Sequence, residues 1–138
     1  ALMQETSEEE PRKLFYIAKN LNAKGVQYSN KTLADVIYND MDIYINGLGY
    51  DNNKKRCANT FIEHSKLSIE DLKIKSIIKD AAFYKFIITK PDGMLHEASQ
   101  NVMLGRNVSD VLEYLKNPAN DDMLDILMAK VEQVWSKQ

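Results

Sequence analysis

Cys57 and His64 stand seven residues apart, close to two helical turns, so on a helix they share a face. A thiol and an imidazole so placed could supply two metal ligands, or a nucleophile and its base. The chain has no second cysteine, and its other histidine, His96, lies at no ligand spacing from this pair. Cys57 also falls on the apolar stripe that carries Phe61, which makes it a buried structural thiol with a flanking histidine. His96-Glu97 has the opening of a zinc-protease helix, but that chemistry needs a second histidine four residues after the first, and position 100 is Gln100. Asp40, Asp42, Asn46 and the Asp51–Asn53 corner supply calcium-type oxygens. A calcium loop read from Asp40 puts Ile45 where glycine belongs, and one read from Asp51 puts Arg56 there. Asp121, Asp122 and Asp125 open a helix, where the dipole accounts for them.

The one concentration of positive charge is Lys54, Lys55, Arg56, Lys66, Lys73, Lys75 and Lys79, with Lys85 beyond. Near Tyr50, Phe61 and Tyr84 such a patch could contact phosphates and bases. Asp71 lies four residues before Lys75, and Asp80 interrupts the row, so helix-stabilising charge pairs also explain it. Lys54–Arg56 sit where a helix begins, against the sign of the dipole, and a local rule broken in this way marks a position to inspect. No phosphate-cradling glycine motif or nucleophile elbow occurs. No catalytic residue, cofactor or metal ligand is assigned.

The formal net charge of -2 over 138 residues gives the whole molecule no electrostatic pull on nucleic acid. The charge is unevenly placed: residues 51–90 carry nine Lys/Arg against five Asp/Glu, and residues 91–138 four against eight. A chain of this length, 44% hydrophobic and 28% charged, is expected to form one domain with a core of its own. A single cysteine fits a reducing intracellular compartment such as the cytoplasm. No run is long and apolar enough for a membrane span. The chain opens on Ala1 with no signal-peptide pattern, the mark of a trimmed segment whose targeting sequence could have been removed. Its lysine-, asparagine- and isoleucine-rich usage is that of an AT-rich genome.

The elements that must position these residues read as helices. Residues 1–7 are expected to be a flexible tail and 8–138 a single helical domain. Ser7 with Glu8–Glu10 and Pro11 starts a helix through Leu14, Phe15, Ile17, Ala18 and Leu21 that stops at 22–25. Ser29 or Thr32, the latter at capping-box distance from Asp35, opens a second helix with the stripe Leu33, Val36, Ile37, Met41 and Tyr44. Asn46-Gly47-Leu48-Gly49 closes it. The third helix carries Cys57, Phe61 and Ile62. Ser68, with Asp71 three residues on, caps an apolar helix expected over 68–89 and central to the fold, because it is apolar nearly all round. Asp92 is then expected to start a short helix through Leu95, Ala98, Val102 and Met103. Asn107/Asp110 open the next helix, Asn117-Pro118 end it, and Asn120 caps the last, whose stripe runs Leu124, Leu127, Met128, Val131 and Val134 or Trp135.

One segment supports two structures. Tyr84, Phe86 and Ile88 alternate with Lys85 and Ile87, and Lys90-Pro91-Asp92-Gly93 is a good hairpin turn into Met94, Leu95 and His96. ITKPDGMLHEASQNVMLG resembles the first hairpin and following helix of a PAS sensor domain, which implies strands about that turn. The residues after it are too few for the three central strands of that fold, and the helical stripe runs unbroken from Ser68 into Ala82. The expectation is therefore an all-α bundle of about six helices, with α+β and a hairpin at 83–98 as the alternative. The matching function is a non-enzymatic interaction module that binds another protein or itself. The alternative function is a nucleic-acid-binding or regulatory helical domain using the basic 54–85 region.

Overall fold

The computed structural model describes residues 11–21, 28–49 and 51–137. The expected tail at 1–7, the Ser7–Glu10 cap, the helix stop at 22–25 and Tyr50 lie outside them. The described residues are mostly helical, with α1 Pro11–Leu21, α2 Ala34–Ile45, α3 Lys54–Ser65, α4 Ile69–Phe83, α5 Val108–Lys116 and α6 Asp121–Lys137. Three short strands, β1 Ile87–Thr89, β2 Leu95–Glu97 and β3 Val102–Gly105, form an antiparallel sheet in the order β1-β2-β3. The chain divides into two compact units, the first up to Lys73 and the second from Ile74 to Lys137, so that α4 contributes to both.

In the first unit α1 is the most enclosed element: Leu14 to Lys19 are buried without a break. The buried positions of α2 (Ile37, Met41, Tyr44) and α3 (Cys57, Phe61) recur every three to four residues, the spacing that turns one helical face to the core. Lys19 tolerates burial because its ammonium donates to the Tyr28 carbonyl, while its methylenes count as apolar surface. The Tyr28 hydroxyl donates to the buried Asp40 carboxylate at 2.8 Å, which ties the 28–32 segment to α2. Burial, with the Asp40 carboxylate beside it, pushes the Tyr28 phenol well above its ordinary value, so the hydroxyl stays protonated as the donor of this bond. Thr32 does not cap α2 as its spacing predicts. Leu33 is the cap residue and makes no side-chain bond, and the Thr32 hydroxyl instead accepts the Ser29 amide at 3.0 Å. The C-terminus of α2 follows expectation: Gly47 N donates to Tyr44 O and Leu48 N to Ile43 O, with Gly47 at φ +68°.

The Ser68 cap is as expected, accepting the Asp71 amide at 3.1 Å, but the helix it starts ends at Phe83 rather than at 89. Phe86 N donates to Ala81 O and Lys85 N to Ala82 O, a Schellman stop with Lys85 in the left-handed position at φ +67°. The all-α expectation is corrected here. Residues 86–105 form the meander, with Ile88 opposite His96 and His96 opposite Met103. Lys90–Gly93 make the hairpin turn of the alternative: Gly93 N donates to Lys90 O at 2.8 Å, and Gly93 takes φ +83°, whereas the helix that the PAS resemblance places after the hairpin is replaced by β3. The helix expected from Asp92 to Gly105 is absent. Asp92 accepts the Met94 amide inside the turn, and Leu95, Val102 and Met103 lie in strands. Leu104 is the extra residue of a β-bulge between the Leu95–Gly105 and His96–Met103 pairs.

In the second unit α6 is the staple. Its buried stripe is Met123, Leu127, Val131 and Trp135, each such side chain contributing about 1.5–3 kcal/mol by leaving water. The Trp135 indole donates to Asp80 of α4 at 2.6 Å, and Lys130 reaches Glu97 of β2 at 3.5 Å.

Candidate functional site

Helical spacing places Leu33 and Val36 on the core stripe of α2, yet Leu33 is 71% and Val36 45% exposed. Leu33 has the extended backbone of a cap residue (φ -66°, ψ 141°), so it lies off the helical arc, and Val36 is about 100° round from the buried Ile37. Val36 and the half-buried Ile43 are seven residues apart and share a face. The Schellman stop then brings Leu48, 78% exposed, back over the last turn through its bond to Ile43 O. Apolar side chains are thus exposed at both ends of α2, at Leu33 and Val36 and again at Leu48 past its C-cap, with exposed Asp35, Asn39 and Asp42 on the helix between them. Sequence reasoning treated Leu33 and Val36 as core. The available signal was the unusual number of apolar residues on α2, more than one face can bury.

The corner after α2 positions α3. A Cβ on Gly47 would lie 2.7 Å from the Lys54 amide nitrogen, so only glycine lets the two helices meet so closely. Asn53 caps α3, accepting the Arg56 amide at 3.0 Å. The first turn then carries Lys54, Lys55 and Arg56 with no acid among them. Arg56 is held from outside that turn: its guanidinium donates to both Asp51 oxygens, at 2.9 and 2.7 Å. The Arg56 hydrogen bond, followed by the Asn53 amide, pulls the Asp51 carboxyl down to about 2. Lys55, Arg56, Asn59 and Glu63, with Asn53 and Thr60, line an open hollow of about 380 Å³. Of the other predicted cations, Lys66 is exposed at the C-cap of α3, Lys73 closes the first unit, and Lys75 and Lys79 belong to the second. Lys73 and Lys79 both have partners.

Cys57 is fully buried, with its sulfur 3.4 Å from the Asp51 carbonyl, and burial pushes its thiol up. His64 Nδ1 lies 2.9 Å from the Thr60 carbonyl on its own helix and donates there in the matching tautomer. Each group is thus committed to a different backbone carbonyl, and a protonated buried thiol is a poor nucleophile. Among the described residues no group of three or more His, Cys, Asp or Glu side chains could hold a metal. Nor is any described helix long and apolar enough to cross a membrane. Neither a family model, a curated protein nor a solved structure matches this chain.

Proposed function

We propose that the chain is a non-enzymatic interaction module that binds another protein, or a second copy of itself, through the outward face of α2. The observation that carries this is the exposure of Leu33 and Val36 at the start of α2 and of Leu48 just past its end. Single exposed apolar residues are ordinary, whereas several large ones on one short element, with polar neighbours, have the composition of a contact surface. The test is the double variant Leu33→Lys/Val36→Lys in the full chain. Both positions are open to water, so the stability loss should be confined to about 0.3–1 kcal/mol for each lysine set against the helix dipole, leaving the chain folded. Sedimentation across a concentration series, together with cross-linking to co-purifying proteins mapped by residue, should show association through α2 that the variant loses. A strictly monomeric native chain whose cross-links avoid α2, or a variant that associates as the native does, refutes the reading.

The basic end of α3 favours a second reading, nucleic-acid contact through Lys54, Lys55 and Asn59. Cations concentrated at a helix start, beside an open polar hollow, are the observation behind it. Phosphate contacts impose a steep salt dependence, so binding that weakens sharply from 50 to 200 mM salt supports it. An absence of binding to single- or double-stranded DNA or RNA at low salt removes it.

A further inference from the structure

The second unit holds a cleft of about 190 Å³ where the β2–β3 turn, α5 and the start of α6 meet. Val102, Met123 and Ile126, with Ala119, supply its apolar lining, and Gln100, Tyr114, Asn120 and Asp122 its polar groups. Small-molecule sites run from about 300 to 1,000 Å³, so this volume suits one side chain rather than a cofactor.

The walls are held by bonds of their own. Glu97 is fully buried at the end of β2, and its carboxylate accepts the Ser99 amide at 2.9 Å, the Gln100 amide at 2.7 Å and the Ser99 hydroxyl. This clamps the turn that presents Gln100, and Lys130 joins the same carboxylate to α6. On the other side a 3-10 turn, Pro118–Asn120, leads into α6. Asn117 caps it by accepting the Ala119 amide at 3.0 Å, and Asn120 donates to the Tyr114 carbonyl at 2.9 Å. A lining fixed before binding spares the ordering cost that a loop would incur.

The lining decides what enters. Three large apolar side chains in the lining suit a methylene stem, and the only formally charged lining group is the Asp122 carboxylate. Asp121 and Asp125, exposed on the same helix, add potential of the same sign. Tyr114 offers a ring to a cation, and Gln100 a carbonyl to an N–H donor. We infer that this cleft takes a cationic side chain of a partner protein, arginine before lysine, with its stem on Val102, Met123 and Ile126 and its head between Asp122 and Tyr114. Arginine comes first because its planar fork can stack on the phenol while it donates to the carboxylate. This site is separate from the exposed apolar residues of α2 and does not depend on them.

The probe is the capped tripeptide Gly-Arg-Gly, titrated into the full isotope-labelled chain and read by amide chemical shifts. Saturable shifts confined to 98–102, 114 and 119–126 are expected, with a Kd in the millimolar range. Asp122→Asn, which keeps the side-chain shape at the helix start, should weaken binding at least about fivefold, as loss of a charge-assisted pair does. The norleucine peptide should bind more weakly than the arginine peptide, and Leu33→Lys/Val36→Lys should leave both titrations unchanged. The inference is overturned by no saturation below about 10 mM, by shifts spread over other acidic residues, by equal binding of the norleucine peptide, or by an unaffected Asp122→Asn chain.

Discussion

Replacing Glu97 by glutamine tests whether the buried carboxylate is the structural clamp of the second unit. The native oxygens accept two backbone amides, at 2.9 and 2.7 Å, and one hydroxyl, with Lys130 at 3.5 Å. Hydrogen bonds to a charged acceptor contribute about 1.5–3 kcal/mol each, so the two amides together are worth about 3–6 kcal/mol gross. Glutamine keeps one carbonyl acceptor, worth about 1 kcal/mol, and no longer buries a charge, which recovers part of the desolvation cost. A net loss of about 2–3 kcal/mol is expected for Glu97→Gln. Lys130→Met should cost under about 1 kcal/mol, because the pair is long at 3.5 Å, Lys130 is 34% exposed, and the Ser99 and Gln100 groups still satisfy the carboxylate. The assay is denaturant unfolding followed by the fluorescence of Trp135, the only tryptophan. The pH dependence supplies an independent sign. Burial alone would raise the Glu97 pKa, but the Ser99 hydroxyl, the Gln100 and Ser99 amides and the Lys130 charge outweigh it and lower it from 4.5. A depressed carboxylate stabilises the fold above its ordinary value and loses that contribution as pH falls through the folded value. The gap between native and Glu97→Gln should therefore be full at neutral pH and shrink below the ordinary carboxylate range. A difference under about 0.5 kcal/mol at pH 7, the size of an ordinary surface substitution, or a gap that does not shrink in acid, would refute the clamp.

Three further outcomes follow from single contacts. Lys85 holds φ +67°, so Lys85→Gly should raise stability by about 0.5–1 kcal/mol, the left-handed penalty less the added glycine entropy, as measured by the unfolding midpoint. The Cys57 thiol should be unreactive toward an aromatic disulfide reagent at pH 8 in the native chain and react at once when unfolded; rapid native reaction would contradict its burial. The Asp51 carboxyl should titrate near 2 by NMR, its stabilising effect present above the ordinary 3.8 and lost as pH falls from about 4 toward 2. Arg56→Lys, which cannot reproduce the two-pronged contact, should move that titration upward.

Some start signals were legible and others were not: Thr32 does not cap α2, and Asp92 starts no helix. Ser68 and Asn107 cap as their spacing predicts, and the stripe of α6 buries Leu127, Val131 and Trp135. Both work through local chemistry that a sequence displays: a side-chain oxygen next to free amides, and one apolar face per turn. The stop of α4 was illegible for an equally local reason. Its left-handed residue is Lys85 where glycine or asparagine would announce the motif, so the apolar run Ala81–Ile88 read as one element. The prominence of α1 was hidden too. Its burial depends on Lys19 finding the Tyr28 carbonyl nine residues away, a partner that only the folded chain supplies.

The candidate surfaces divide along the same line. The basic first turn of α3 could be read directly, because it breaks a rule about the helix dipole that needs no tertiary knowledge. Leu33 and Val36 could not, because apolar spacing says which residues share a face and not whether anything covers it. A helix with more apolar residues than one face can hold must either be enclosed or leave some of them open. α1 and α2 take the two outcomes: α1 is enclosed from Leu14 to Lys19, and α2 leaves Leu33, Val36 and Leu48 to water. The cleft at Asp122 was the least visible, since its lining is scattered from Gln100 to Ile126 and Asp122 taken alone is explained by the dipole of α6. What would separate a dipole-balancing aspartate from a binding one is the apolar lining it shares a cleft with. Asp121 sits on the same first turn without lining the cleft, which makes Asp121→Asn the internal control for Asp122→Asn. If charge at the helix start were all that mattered, the two substitutions would act alike on stability and on peptide binding. If the cleft is a site, they should act alike on stability and differ in binding.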